Sequence, residues 1–189
     1  MLKDLIKRNR SYRRFYQNIK IDIRTLRDLV DLTRFVASAA NLQPLKYIIS
    51  NESVKNEKIF KTLSWAGYLD DWKGPSEGQK PSAYIVVLGD TDIIKTFGCD
   101  HGIAVQTILL GACERGLGGC IVGAINRKEL LQALDIPDRY EILLVVALGR
   151  PREKVVLERV KSNGDIKYWR DGKGTHHVPK RPLNEIIIG

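Results

Sequence analysis

Arg10-Ser11-Tyr12-Arg13-Arg14-Phe15 sets three guanidinium groups and a hydroxyl within five residues, directly after an amphipathic run (Leu2, Leu5, Ile6) that reads as a first helix. Arginine presents a planar fork of donors suited to phosphate, and serine adds a small donor where the backbone can come close to a ligand. Tyr12 and Phe15 are the apolar bodies that would pin such a segment to a core while alternate residues face a ligand. Two readings stand at this point: a solvated basic face, or an anion-binding segment. The rest of the chain weighs between them.

A chain of 189 residues with 43% hydrophobic and 28% charged residues fits one folded domain. Such a length buries about two-thirds of the surface that the unfolded chain exposes. No apolar run approaches the roughly 20 residues of a membrane span, and Met1-Leu2-Lys3-Asp4 is not the start expected of a signal peptide. The expectation is a cytoplasmic protein without a membrane. Cys99, Cys113 and Cys120 are odd in number and never in CxxC spacing, so reduced thiols and no metal site are expected. His101, His176 and His177 offer no ligand spacing either. The net charge of +9 is concentrated at the ends. Residues 1–24 and residues 149–181 each carry a net of +6, which leaves −3 for the remainder. Basic ends suit a nucleic-acid binder, or a protein that closes both ends around a small phosphorylated ligand.

Between those ends the pattern alternates helix and strand. Ile21 to Ala37 reads as one amphipathic helix with Ile23, Leu26, Val30 and Phe35 on a single face. Ser38-Ala39-Ala40-Asn41-Leu42-Gln43-Pro44 then forms a loop rich in free donors; a plain helix-to-strand connection explains it equally well. Lys46 to Ser50 is a short strand and Glu52 to Leu63 a helix with Val54, Ile59, Phe60 and Leu63 as core positions. The aromatic stretch Trp65 to Trp72 is either a lid over a pocket or a satellite core cluster beneath the exposed loop Lys73 to Pro81. Ala83 to Leu88 is an unbroken apolar run of strand length, expected inside a sheet. Asp100 to Arg115 is apolar on more than one face, a central helix or part of a subunit interface, and Gly116 fits its left-handed cap.

Gly118-Gly119-Cys120-Ile121-Val122-Gly123 is a strand flanked by glycines that allow close approach to the backbone. It is neither a dinucleotide fingerprint nor a P-loop, since no helix opens after the glycines. Cys120 reads as a small packed residue and not a redox thiol. Asn126 caps a helix from Arg127 to Leu134, and Glu141 to Leu148 is a second interior strand. The tail from Lys154 is basic and broken at Asn163-Gly164 and at 171–174. It has a strand-like piece at Ile166 to Trp169 and closes on an apolar Ile186-Ile187-Ile188, which needs a sheet edge to pair with.

Taken in order, five segments resemble the nitroreductase family of FMN-dependent oxidoreductases. These are Arg10 to Phe15, Ser38 to Pro44, Gly116 to Gly123, Gly149-Arg150-Pro151 and Lys180-Arg181, and the resemblance spans nearly the whole chain. It implies an α+β fold: a mainly antiparallel central sheet packed between helices, in an intertwined homodimer with the C-terminal segment exchanged. The single domain would be 1–189, with about 154–189 an extension embracing the partner. Carried onto this sequence, Arg10, Ser11 and Arg13 would contact the phosphate, ribityl chain and ring edge of FMN. Lys180 and Arg181 would add phosphate charge, with Arg8 or Arg150 replacing the basic contact that Asn9 lacks, and Ser38, Asn41 and Gln43 would reach the flavin from the other subunit. The backbone at Val122 and Gly123 would face the reactive edge of the ring. Where many members carry a basic residue before the first arginine, this chain has Asn9.

The implied activity is ping-pong hydride transfer from NADH or NADPH through FMN to a small electron-poor acceptor such as a nitroaromatic or quinone. The flavin does the redox chemistry, so no side chain is named as catalytic acid, base or nucleophile. A flavin carrier or sensor, and a dehalogenase-like or flavin-consuming member, share the same cofactor site. A nucleic-acid binder is the remote alternative. The charge-neutral middle, the lack of a recognition-helix motif and the small number of aromatics available for base stacking argue against it.

Overall fold

The apolar run at 83–88 becomes the centre of a sheet. In the computed structural model, which describes residues 1–69, 71–161 and 164–189, strand β2 (Ala83–Asp90) has all eight residues buried. It pairs antiparallel with β1 (Leu45–Ser50) on one side and β4 (Tyr140–Gly149) on the other. β3 (Gly118–Val122) adds to β4, giving the order β1-β2-β4-β3 with every pairing antiparallel.

The pleat sends alternate residues to opposite faces. Tyr84, Val86 and Leu88 meet α3 (Ser53–Lys61) and α5 (Arg127–Ala133) through Ile59 and Leu130. Ile85 and Val87 meet α2 (Ile23–Asp31) and α4 (Asp100–Glu114) through Leu26, Leu29, Val105 and Ile108. Helices on both faces explain why β2 is apolar throughout rather than alternating. Short α1 (Leu2–Arg8) rests on α4. The fold is α+β, with a mainly antiparallel sheet between helices.

Two helices end earlier than their hydrophobic pattern predicts. The helix expected over Ile21 to Ala37 stops at Asp31 and tightens into a 3-10 turn at Leu32–Phe35. Three residues per turn advance side chains faster around the axis than an α-helix does, so Phe35 swings into solvent. Ile21, Leu26 and Leu29 form the buried face instead, and Ile23 is exposed. The helix expected over Glu52 to Leu63 ends at Lys61, with Val54 exposed. Its anchor is polar. Asn56 Oδ1 accepts from Ser50 Oγ at 2.7 Å and Nδ2 donates to Ser82 O at 2.9 Å, tying the helix to β1 and to the start of β2. Gly116 has a φ of 71° after α4, and the Asn126 side chain accepts from Glu129 N, both as expected.

After β4 the chain builds a second sheet from β5 (Val155–Arg159), β6 (Trp169–Arg170) and β7 (His176–Lys180), in the order β5-β7-β6. The strand expected at Ile166 to Trp169 is thus displaced to Trp169–Arg170. Ile186 to Ile188 form no strand in this chain: they follow a 3-10 turn at Leu183–Glu185 and are exposed. The polar Asp70 within the aromatic stretch, and Asn163 of the expected tail break, lie outside the described residues. Among the described residues no helix is long and apolar enough to cross a membrane.

Two glycines make room for the N-terminal aromatics. A Cβ on Gly118 would lie 2.4 Å from the Tyr12 ring, and one on Gly149 would lie 2.8 Å from the Phe15 ring. Phe15 is fully buried and has nowhere to retreat. Gly149→Ala is therefore expected to cost about 1–3 kcal/mol by overpacking, read as a lower urea midpoint at unchanged m-value.

The small sheet carries its own electrostatic tie. His177 Nδ1 meets Glu158 Oε1 at 2.5 Å, its Nε2 meets Asp171 Oδ2 at 3.3 Å, and its ring stacks on Trp169 at 4.1 Å. The hydrogen bond to Glu158, followed by that to Asp171, raises the His177 pKa above its ordinary 6.5. A raised histidine pKa gives stability that is full below the unfolded value and is lost as pH rises through the folded one. Proteolytic resistance of 155–180 should fall as pH climbs above 6.5. His177→Gln should flatten that dependence.

Candidate functional site: a basic cleft between the chain ends

Residues 11–16 run as an extended segment held by main-chain bonds on both sides. Tyr12 N donates to Gly119 O at 2.9 Å, Phe15 N to Gln79 O at 3.0 Å, and Tyr16 N to Arg150 O at 2.9 Å. Arg152 N returns a bond to Arg14 O at 2.9 Å. The main-chain donors of Arg13 and Arg14 go to one carboxylate. Glu153 Oε1 accepts from the backbone N–H of Arg13 and, at 3.1 Å, from that of Arg14; its Oε2 accepts from Arg170 Nη2 at 2.9 Å. The Glu153 side chain is 2% exposed. Sequence reasoning missed this residue, although a lone acid between Arg152 and Lys154 was a usable signal.

The segment forms one wall of a cleft of ≈ 370 Å³ whose other walls come from α4, β3 and the second sheet. Arg10, Ser11 and Arg13 line it from the N-terminal side and Lys180 from the C-terminal side; among the described residues no acidic side chain is part of the lining. Leu109, Ile121 and Val178 supply apolar surface. The Arg10 guanidinium gives one bond, from Nη2 to Ile6 O at 2.8 Å, and its buried Nε has no partner.

Among the described residues no carboxylate pairs with the Arg13 guanidinium. Nη1 lies 3.2 Å from His176 Nε2, and the group sits 4.7 Å over the Tyr168 ring. His176 is 1% exposed. Burial, then the charges of Arg13, Arg170, His177 and Arg14, push its pKa down from 6.5 to about 4. The imidazole is therefore neutral near pH 7. A guanidinium can only donate, so Nε2 is the acceptor and the ring proton is on Nδ1, which is buried without a partner. His176 is a second residue the sequence reading did not assign. The aromatic stretch reaches the same neighbourhood: Tyr68 packs on Tyr168 at 5.0 Å, and Trp72 lies under Arg170 at 4.3 Å.

Ser38, Asn41 and Gln43 form a separate locus at the start of α4. Ser38 Oγ donates to Asp100 Oδ2 at 2.6 Å and accepts from Gln43 N at 2.9 Å; Ala39 N donates to Asp100 Oδ1 at 3.1 Å. Gln43 Nε2 donates to Asn41 O and Oδ1, both at 3.1 Å. Ala40, Asn41 and Gln43 all have φ near +50°, a left-handed conformation costing non-glycine residues roughly 1–2 kcal/mol each. The loop is thus a preformed, strained element over a buried carboxylate, and the Ser38 hydroxyl is spent within it.

The other expected site residues lie around these two loci. Val122 is buried in the sheet, and Gly123 is exposed just past the end of β3, next to the cleft residue Ile121. Arg150 is exposed and outside the lining of the cleft. Arg181 is likewise outside it, paired with Glu185 at 3.2 Å. Burial pushes the Cys120 thiol pKa up, in keeping with a packed residue.

Comparison with known proteins agrees with this architecture. YodC of Bacillus subtilis (strain 168), named as an NAD(P)H nitroreductase, is 23% identical over 177 residues, covering 78% of this chain and 88% of that one. A nitroreductase family protein from Streptococcus pneumoniae TIGR4 superposes with a TM-score of 0.73 over 100% of both chains at 16% identity. The NADPH:FMN oxidoreductase of Vibrio harveyi, solved with NAD+, gives 0.66 at 20% identity, over 85% of this chain and 74% of that one. These two are likenesses of fold. The nitroreductase family model matches residues 6–150, which hold the whole central sheet and most of the cleft, and the chain accordingly belongs to the nitroreductase family of oxidoreductases.

Proposed function

We propose that the protein is an FMN-dependent NAD(P)H oxidoreductase that works as a homodimer on small electron-poor acceptors such as nitroaromatics or quinones. The observation that carries this reading is the cleft. Arg10, Arg13 and Lys180 come from opposite ends of the chain to one space that no carboxylate of the described residues shares, beside apolar Leu109, Ile121 and Val178. Cations left without acids suit a phosphorylated ligand, and the apolar wall suits a flat ring. Relatives and fold neighbours named for NAD(P)H and FMN support the choice of cofactor and donor.

When bound, FMN would supply the redox chemistry, in a ping-pong cycle with NADH or NADPH giving hydride and the acceptor taking it. The protein's own share is binding, orientation and charge. Arg10, Ser11 and Lys180 would hold the phosphate and ribityl chain. Arg13 would face the electron-rich edge of the ring and favour negative charge there. Main chain at Val122 and Gly123 would border the reactive edge. Arg150 and Arg181 would join the phosphate only by leaving their present positions, Arg181 by releasing Glu185. Exposed Leu183 and Ile186 to Ile188 provide the apolar segment for clasping a partner subunit, whose Ser38 to Gln43 loop would complete the site.

The purified protein is expected to show the two-banded absorption of flavin and to bleach on anaerobic addition of NADH or NADPH. A colourless protein that takes up no added FMN would defeat the reading; a flavin that does not bleach would make it a carrier. Arg13→Ala should weaken FMN binding roughly ten- to hundredfold, the loss of one charged hydrogen-bonding group, and make the bound flavin harder to reduce. Equal affinity and potential in that variant would remove Arg13 from the site.

A further inference from the structure

The hydrogen-bond partner of Arg13 is chemically unusual. Four cations surround His176, namely Arg13, Arg14, Arg170 and the neighbouring His177 when it is protonated; of the described acids beside them, Glu153 is consumed by Arg170 and two main-chain donors, and Glu158 and Asp171 by His177. Electrostatics alone would favour a carboxylate at position 176, because it would accept from Arg13 and cancel charge. The chain has a fully buried neutral imidazole instead, wedged between Arg13 and the Tyr168 ring at 5.2 Å. Local stability is left unoptimised at a place where a ligand would supply the missing negative charge.

We propose that His176 is the positioning residue for Arg13: a neutral acceptor that orients the guanidinium in the cleft wall without neutralising it. The proposal rests on the reading of the cleft as a flavin site. A carboxylate would aim Arg13 equally well but would cancel the charge that FMN needs. An apolar residue would leave the charge and lose the aim. Only a neutral acceptor does both, so the role separates from simple packing.

The test compares His176→Gln, His176→Glu and His176→Leu in the full-length protein by FMN titration, by the reduction potential of bound FMN, and by thermal unfolding without FMN. Gln keeps a neutral acceptor and is expected to stay near wild-type affinity and potential. Glu is expected to raise the melting temperature of the flavin-free protein, to lose about tenfold or more in FMN affinity, and to make the bound flavin harder to reduce. Leu should lose both stability and affinity. A Glu variant that binds FMN as tightly as the Gln variant, at the same potential, overturns the proposal, as does one in which stability and affinity fall together. Nitrogen-15 NMR of the flavin-free wild type supplies a readout that needs no cofactor. His176 should be the Nδ1–H tautomer with a midpoint near 4 that climbs towards 6.5 in Arg13→Gln. An Nε2–H tautomer, or a midpoint indifferent to Arg13, also overturns it. A wild type that binds no FMN but shows the expected NMR would defeat the flavin reading and leave the Arg13–His176 clamp standing.

Discussion

The Glu153 carboxylate is the tie on which the basic cleft depends. It takes two main-chain hydrogen bonds from residues 13 and 14 and an ion pair from Arg170, and it does so almost wholly out of water. A buried carboxylate is tolerable only when its lone pairs are filled, and here three donors fill them. The consequence is topological: one side chain joins an N-terminal strip, the end of the central sheet and the second sheet. Every residue of the cleft is placed relative to that junction. Tyr12 and Phe15 then lock the strip from beneath, into space that Gly118 and Gly149 leave open.

Drawing the two basic ends together works against folding. Like charges a few ångströms apart repel by several kcal/mol at the effective dielectric of a protein surface. Much of that strain is offset where the fold permits: Arg170 by Glu153, and Arg14 by lying on the face of Trp72 at 5.8 Å. Arg10, Arg13 and Lys180 receive no such compensation from an acid in the cleft. The offset is therefore selective. Arg170 in the second sheet is paired with a carboxylate, while Arg10, Arg13 and Lys180 lining the space have no acid partner among the described residues, the distribution expected where binding energy is to come from an anion.

This division marks what was legible in the sequence. The period and length of apolar runs gave β2, α4 and β4, because burial of those elements is decided by their own residues. Gly116 and Asn126 were readable for the same local reason. The end of α2 was not, since its pattern continues to Phe35 while the backbone tightens after Asp31. Arg10, Ser11 and Arg13 could be singled out by type and spacing, and Lys180 by the family resemblance. Glu153 and His176 could not, because each matters through a partner about 140 to 163 positions away in the chain. Ser38 looked like a free donor in the sequence, and only the fold shows its hydroxyl turned onto Asp100.

The Ser38 to Gln43 loop and the cleft are also related through α4. Asp100, which anchors the loop, and Gln106, which borders the cleft, are six residues apart on that helix, a rise of about 9 Å. Within one chain the two loci therefore stand side by side along the helix rather than face to face. Three left-handed non-glycine residues in so short a loop are not needed to connect a helix to a strand. Their strain makes sense if Asn41 and Gln43 are being held for a ligand that this chain does not itself bring to them. The proposed homodimer meets that condition.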